Sequence, residues 1–143
     1  MTVIAWDGKT LAADRMAVWS GMQATVSKIR RIETGEILAW SGSQDCGLIL
    51  ADWYECGADP TKWPDFQKDK DDWTRLIIAR KDGIHCYEQH LIPLRFDNLF
   101  LAWGSGRDYA MGAMAMGADA IKAVQIASQF DTGCGNGVEH FTP

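Results

Sequence analysis

The 143-residue sequence predicts a single α+β domain, spanning residues 1–143, in which antiparallel β-sheets are covered by helices. Strand-like stretches fill the first 40 residues, and more of them lie between residues 73 and 103. Helical stretches rich in Ala and Met follow residue 104. Runs of strands followed by runs of helices are typical of α+β layering and not of alternating βαβ units.

The first element is a predicted β-hairpin. Val3 to Trp6 and Thr10 to Ala13 are short apolar runs, and the intervening Asp7-Gly8-Lys9 is a strongly favoured hairpin turn. Met16 to Val26 and Lys28 to Ile32 are rich in strand-forming residues as well. An antiparallel meander through the first 40 residues is therefore expected, with the N-terminus built into a sheet.

A first helix is predicted after the strand-like run Ile37 to Trp40. A Ser-Gly-Ser sequence at residues 41–43 breaks the strand pattern, and Ser43 or Asp45 can cap a helix. Apolar residues then recur at helical spacing up to Gly57.

Residues 57–72 contain two prolines and a mixture of Lys and Asp, so we expect a surface connector there. Trp73 to Ala79, Ile84 to Glu88 and Leu99 to Trp103 are predicted strands. Lys81-Asp82-Gly83 supplies a turn between the first two of these strands.

Two helices are predicted near the C-terminus. Tyr109 to Met116 and Ala118 to Phe130 have helical spacing, and Asp119 is in position to cap the second helix. A turn over residues 131–137 leads to a last short strand, Val138 to Phe141.

Composition excludes several classes of function. The formal charge is -5, with 14 Lys+Arg against 19 Asp+Glu and no basic stripe, so nucleic acid is not an expected partner. Charged residues interrupt every apolar stretch of the first 20 residues, which predicts neither a signal peptide nor a membrane span and indicates a cytoplasmic protein. The 4 cysteines and 3 histidines lack metal-ligand spacing, so we expect reduced thiols and no zinc.

Common catalytic motifs are not found in the sequence, and Thr2 offers an uncommon alternative. A small residue after Met1 favours removal of that methionine, which would give Thr2 a free α-amine. Such an amine can accept the proton of the residue's own hydroxyl, so that one residue is both nucleophile and general base. Asp14 and Lys28 could project from neighbouring strands beside Thr2 as a charge relay, although an ordinary surface ion pair is the alternative interpretation.

Several short segments occur in the order, and nearly at the spacing, of one known family. They are Thr2-Val3-Ile4-Ala5, Leu11-Ala12-Ala13-Asp14-Arg15, Ser27-Lys28-Ile29-Arg30-Arg31, Trp40-Ser41-Gly42, Gly104-Ser105-Gly106 and Asp131-Thr132-Gly133-Cys134-Gly135. On these segments the chain resembles proteasome β subunits and bacterial HslV-type peptidases, which are N-terminal-nucleophile (Ntn) hydrolases. The resemblance implies a four-layer αββα sandwich of two antiparallel sheets, with a shortened helix pair after residue 57.

The resemblance also implies a role for individual residues. Thr2 would be the nucleophile, Asp14 and Lys28 its charge relay, and the Gly42 N–H the oxyanion hole. Ser105 and Asp131 would orient the Thr2 amine and its water.

Cys134 stands where the family usually has serine, and a thiol is the weaker hydrogen-bond donor. Reduced activity is the expected consequence of this departure.

The family's specificity pocket corresponds here to Ala17, Val26, Arg30, Trp40 and Leu48, and Arg30 suggests an acidic substrate side chain.

By the same resemblance the chain would assemble into a homo-oligomeric ring and cleave polypeptide, with an ATP-dependent unfoldase as a partner. No cofactor is required, and a structural monovalent cation is compatible with the chemistry. Two alternatives remain open, namely a non-catalytic ring subunit and an Ntn amidohydrolase that acts on a small amide.

Overall fold

Two antiparallel β-sheets lie face to face at the centre of the structure, a computed structural model that describes residues 1–67 and 73–143. The strands are β1 (Ile4–Trp6), β2 (Leu11–Asp14), β3 (Met16–Trp19), β4 (Met22–Thr25), β5 (Ile29–Arg31), β6 (Ile37–Ser41), β7 (Arg75–Arg80), β8 (Gly83–Tyr87), β9 (Pro93–Phe96), β10 (Leu101–Trp103) and β11 (Val138–Phe141). The helices are α1 (Gln44–Glu55), α2 (Arg107–Ala115) and α3 (Ala120–Phe130), with 3₁₀ turns at Pro60–Lys62 and Asp65–Gln67.

The first sheet has the strand order β10-β1-β2-β11, and the second has the order β5-β6-β7-β8-β9. Neighbouring strands are antiparallel in both sheets. Helices α2 and α3 cover the outer face of the first sheet, and α1 covers the outer face of the second. The fold is thus α+β with αββα layering, as the sequence predicted.

Strands of the first sheet are apolar on both faces because both faces are covered. Ile4 and Leu11 face the second sheet, whereas Ala5 and Ala12 face α2 and α3. The small alanine side chains let the two helices lie close to the sheet. This packing buries the N-terminal strand, and with it the start of the chain.

Strand β6 shows the same two-sided burial in the second sheet. Ala39 faces the first sheet, whereas Leu38 and Trp40 face α1. A Cβ on Gly47 of α1 would lie 2.2 Å from Cδ1 of Trp40, so the helix packs directly against the indole. The Trp40 side chain is held in place by this contact.

The predicted N-terminal hairpin is confirmed, since Ile4 pairs with Ala13 across β1 and β2. The N-cap at Asp119 is confirmed as well, because its carboxylate accepts the N–H of Lys122 at 2.8 Å. The meander was wrong. Strands β1 and β2 join the first sheet, β3 and β4 form a separate hairpin, and β5 and β6 join the second sheet.

Strand β9 was not predicted, because Pro93 lies within it and proline lacks the N–H of a sheet ladder. In the structure Pro93 is the first residue of an edge strand, a position where this loss is tolerated.

After α1 the described residues contain only the two 3₁₀ turns before β7, which agrees with the expected shortening of the helix pair. Residues 68–72 of the predicted connector lie outside the described residues. None of the helices in the described part of the chain has the length and apolar character needed to span a membrane.

Candidate active site

The carboxylate of Asp14 lies at the centre of the site. Its Oδ1 accepts hydrogen bonds from Thr2 Oγ1 at 2.9 Å, from the Val3 N–H at 3.0 Å and from Lys28 Nζ at 2.9 Å. The antiparallel pairing of β1 with β2 brings Thr2 beside Asp14, at the end of the hairpin. Lys28 precedes β5 and reaches this carboxylate from the second sheet.

The second carboxylate oxygen of Asp14 is satisfied by backbone. Oδ2 accepts the N–H of Met16 at 3.2 Å and the N–H of Gly135 at 3.1 Å. The Asp14 side chain is fully buried, and hydrogen bonds of this kind offset the cost of burying a charge. The carboxylate is therefore held in one orientation, with Oδ1 directed at Thr2 and Lys28.

Met1 is part of the site in the unprocessed chain. Its carbonyl accepts a hydrogen bond from Lys28 Nζ at 3.2 Å. Its side chain lies so close to the backbone of Gly133 that a Cβ there would be 2.4 Å from the Met1 Cβ. Thr2 itself is only 3% exposed, whereas Met1 is 68% exposed.

Ser105 contacts the backbone of Thr2. The Thr2 N–H donates to Ser105 Oγ at 3.2 Å, and the Gly106 N–H donates to the Thr2 carbonyl at 3.1 Å. A Cβ on Gly104 would lie 2.2 Å from the Thr2 carbonyl oxygen, and Gly104 has a φ of +94°. Glycine is therefore required at position 104 both for space and for backbone conformation.

Asp131 joins the site through Cys134 and Ser105. Cys134 Sγ donates to Asp131 Oδ2 at 3.4 Å and lies 3.8 Å from Ser105 Oγ. Burial by itself would raise the pKa of Asp131, but hydrogen bonds from Ser105, the Gly133 N–H and Cys134 outweigh it, with help from the N-terminal charge. The pKa of Asp131 is consequently lowered.

Burial raises the pKa of the Cys134 thiol to about 12, with a further contribution from the negative charge of Asp14. Cys134 is therefore a neutral thiol at physiological pH, and it links Ser105 to Asp131 without carrying charge.

Gly42 follows β6 and lies next to Thr2 in both of the cavities described below. Its φ is +113°, and a Cβ there would lie 2.9 Å from the Cα of Thr74. The next N–H, of Ser43, donates to Thr74 Oγ1 at 3.1 Å. The loop that carries Gly42 is thus fixed against the residue that precedes β7.

Two cavities lined by described residues meet at Thr2. The first, of about 660 Å³, is called the Trp40 cavity and is lined by Met1, Thr2, Met16, Ala17, Val18, Trp19, Lys28, Trp40, Gly42, Ser43, Gln44, Asp45 and Leu48. The second, of about 640 Å³, is called the Trp73 cavity and is lined by Met1, Thr2, Ser41, Gly42, Trp73, Arg75, Glu88, Trp103, Gly104, Ser105 and Arg107.

Three of the predicted pocket residues, Ala17, Trp40 and Leu48, line the Trp40 cavity. Val26 and Arg30 are not among the described residues that line it.

Arg30 lies opposite Leu38 in the sheet, and both side chains face α1. There Arg30 pairs with Asp52 at 2.7 Å and with Glu55 at 2.9 Å, so its charge is engaged by the helix. The structure does not bring Arg30 to the cavity. Val26 lies between β4 and β5, where its N–H donates to the Arg15 carbonyl at 2.8 Å.

Sequence reasoning missed several parts of the site. The backbone donor of Gly135 gave no signal, because its role depends on β11 lying next to β2. Trp73, Arg75 and Arg107 come from distant parts of the chain and share no spacing pattern. Gly104 was visible only as part of the Gly104-Ser105-Gly106 motif. In the part of the chain that the structure describes, no three His, Cys, Asp or Glu side chains form a metal site.

The sequence matches no protein-family model and no curated protein sequence. The fold, however, is similar to that of BPH from Thiobacillus denitrificans, with a TM-score of 0.73 and 25% sequence identity over 99% of this chain and 96% of that chain. BPH from the same organism in complex with epoxomicin gives a TM-score of 0.73 at 23% identity, over 99% of this chain and 97% of that chain. Eukaryotic HslV from Trypanosoma brucei gives a TM-score of 0.73 at 18% identity, over 98% and 97% of the two chains.

These similarities confirm the resemblance noted in the sequence. The fold is that of the proteasome- and HslV-like Ntn hydrolases, and the two sheets match over nearly the whole chain. The similarity supports a proteasome-type subunit.

Proposed function

We propose that the chain is a threonine-type peptidase subunit of a self-compartmentalising ring, with Thr2 as its nucleophile once Met1 is removed. One observation carries the proposal. A single buried carboxylate oxygen, Oδ1 of Asp14, binds both the Thr2 hydroxyl and the Lys28 ammonium at 2.9 Å. A nucleophile, a cation and the carboxylate that positions both are thereby within hydrogen-bond reach of one another.

Removal of Met1 would change the chemistry of Thr2. In the unprocessed chain the Thr2 nitrogen belongs to an amide and cannot accept a proton. The free α-amine of the processed chain can accept the proton from Thr2 Oγ1, directly or through a water. The ammonium of Lys28, no longer bound to the Met1 carbonyl, would stabilise the developing negative charge on Oγ1.

Peptide cleavage would then follow in two steps. Thr2 Oγ1 attacks the substrate carbonyl carbon and gives its proton to the α-amine, which returns that proton to the leaving amine as the C–N bond breaks. Water attacks the resulting ester, and Oγ1 regains a proton as the acid leaves. Gly42 has no side chain to block the substrate carbonyl, and one oxyanion donor of this kind lowers the barrier by about 3 to 4 kcal/mol.

Ser105 and Asp131 would orient the Thr2 amine and the attacking water. This role is supported by the hydrogen bond from the Thr2 nitrogen to Ser105 Oγ at 3.2 Å and by the Cys134 link from Ser105 to Asp131. The site requires no cofactor and no catalytic metal for this chemistry. Ala17, Trp40 and Leu48 would form the specificity pocket.

We further propose a homo-oligomeric ring in the cytoplasm that receives polypeptide from an ATP-dependent unfoldase. The proposal is supported by the similarity to HslV and to BPH, one structure of which holds epoxomicin. The hydrogen-bonded set around Asp14 favours a catalytic over a non-catalytic ring subunit, because a subunit without catalysis has no need of a lysine buried beside Thr2.

Peptide hydrolysis by defined forms of the protein tests the proposal. Intact-mass analysis first separates chains that have lost Met1 from chains that retain it, and each form is assayed with a mixture of unstructured peptides and with small amides. We expect cleavage of peptides by the Met1-free form and by Thr2→Ser, and none by Thr2→Ala or by the Met1-retaining form. Equal cleavage by Thr2→Ala contradicts the mechanism, and cleavage of small amides alone would identify an amidohydrolase.

A further inference from the structure

We propose that the Trp73 cavity binds the leaving-group side of a peptide substrate and favours an acidic residue there. The inference rests on the proposed function and adds a substrate class to it. It is carried by the different chemistry of the two cavities that meet at Thr2, and by the position of Arg107 beside the nucleophile.

The position of the cavities assigns the two sides of the substrate. Thr2 and Gly42 border both cavities, so a chain whose carbonyl lies between them must extend into one cavity on each side. The Trp40 cavity contains Ala17 and Leu48, the residues proposed to select the acyl-side residue. The Trp73 cavity is then the place where the leaving amine and the residues beyond it would lie.

Arg107 places a positive charge close to the nucleophile. Its Nη1 donates to the carbonyl of Gly104 at 3.1 Å, and Gly104 is packed against the backbone of Thr2. The ion-pair partner of Arg107 is Asp108, at 3.7 Å, whose side chain is 87% exposed. An exposed pair of this kind is weak, so Arg107 is able to exchange it for a substrate carboxylate.

The remaining charged residues of this cavity offset each other. Arg75 pairs with Glu88 at 3.4 Å, and its guanidinium lies over the ring of Trp73 at 5.0 Å from the centroid. Among the described lining residues, Arg107 is thus a cation in excess of this pair. The indole N–H of Trp73 has no hydrogen-bond partner within residues 1–67 and 73–143 and is a suitable donor to a carboxylate. An acidic side chain therefore fits the cavity better than a basic one.

Arg95 provides a matched control for Arg107. The exposed fraction of both side chains is 57%, and each guanidinium donates to a backbone carbonyl at 3.1 Å. Each also pairs with an exposed carboxylate, at 3.7 Å for Arg107 and at 4.0 Å for Arg95. Arg95 is not among the described residues that line either cavity, so charge reversal there tests the effect of surface charge alone.

Competition between matched peptides tests the inference. The Met1-free protein is given peptides that differ only in the first residue after the scissile bond, which is Asp, Ala or Lys, and products are quantified by mass spectrometry. We expect kcat/KM for Asp to exceed that for Lys by about three- to fivefold, the size of one partly exposed charge contact, and the ratio to shrink in high salt. Arg107→Glu should abolish or invert the ratio, whereas Arg95→Glu should preserve it.

The salt dependence requires no variant, so the test holds even if Arg107→Glu folds poorly, and Arg107→Gln provides a milder change. A ratio near one, or a preference that survives both Arg107 substitutions, overturns the inference. Cleavage without this preference leaves the proposed peptidase intact. Absence of cleavage for every peptide contradicts the proposed function, and the inference with it.

Discussion

The Nζ of Lys28 lies 2.9 Å from Oδ1 of Asp14, and the exposed fractions of the two side chains are 5% and 0%. Burying two charges costs free energy that a single contact rarely offsets, so such pairs require further hydrogen bonds. Asp14 has them, from the Thr2 hydroxyl and from backbone N–H groups of three strands or loops. The fold and the proposed nucleophile therefore depend on the same ion pair.

Replacing Lys28 with methionine should destabilise the protein strongly. The variant leaves a buried carboxylate without its cation, which costs about 3 to 5 kcal/mol. Urea unfolding at one fixed protein concentration measures the loss. Arg95→Met, which breaks an exposed pair with Asp97, should change the free energy of unfolding by no more than about 0.5 kcal/mol. Equal losses in the two variants would contradict a structural role for the buried pair.

Replacing Gly104 with alanine should inactivate the protein and destabilise it. The new Cβ would lie 2.2 Å from the Thr2 carbonyl oxygen, so the backbone of the nucleophile has to move. Gly57→Ala is the control, because Gly57 has a similar φ of +109° but no atom within 4 Å of the added Cβ. It should cost only the left-handed conformation, about 1 to 2 kcal/mol, and leave activity unchanged. Thermal unfolding and peptide hydrolysis measure both effects, and an active Gly104→Ala enzyme is the contrary result.

Replacing Cys134 with serine should increase the rate of peptide cleavage. A hydroxyl is a stronger hydrogen-bond partner than a thiol, so Ser105 and Asp131 would be more firmly connected. One hydrogen bond of ordinary strength, about 1 kcal/mol, corresponds to about a fivefold rise in kcat. Cys56→Ser is the control, since Cys56 is exposed and should have no effect. A slower Cys134→Ser enzyme would indicate that the thiol itself is required.

Asp131 should make stability depend on acid pH. Its folded-state pKa lies below the usual value of 3.8, so the carboxylate contributes stability that is present above that value and is lost as the pH falls through the folded-state pKa. Unfolding of the unsubstituted protein and of Asp131→Asn should therefore differ most near neutral pH. The difference should shrink below about pH 4. A difference that grows on acidification would mean that the shift has the opposite sign.

Local sequence signals predicted the parts of the fold that are local. The Asp7-Gly8-Lys9 turn and the Asp119 cap depend on neighbouring residues, so their chemistry is visible in the sequence. The partition of strands between two sheets was not visible, because a run of buried residues does not indicate which sheet it joins. Strand β9 was hidden by Pro93, whose missing N–H matters only away from an edge.

The candidate site divides along the same line. Thr2, Asp14 and Lys28 were predicted as a set, and the structure brings their side chains together. Arg30 was expected in the specificity pocket, but strand alternation turns it toward α1. Arg107 gave no signal, because its proximity to Thr2 depends on the pairing of β10 with β1, almost 100 residues apart in the chain.

The site of acylation tests the central claim most directly. The Met1-free protein is incubated with a slowly hydrolysed peptide ester, quenched in acid, and digested for mass spectrometry. The account predicts an acyl group on the N-terminal peptide, at Thr2, in the unsubstituted protein and no such adduct in Thr2→Ala or in chains that retain Met1. Acylation at Ser105 or Cys134, or an adduct that persists in Thr2→Ala, would contradict it.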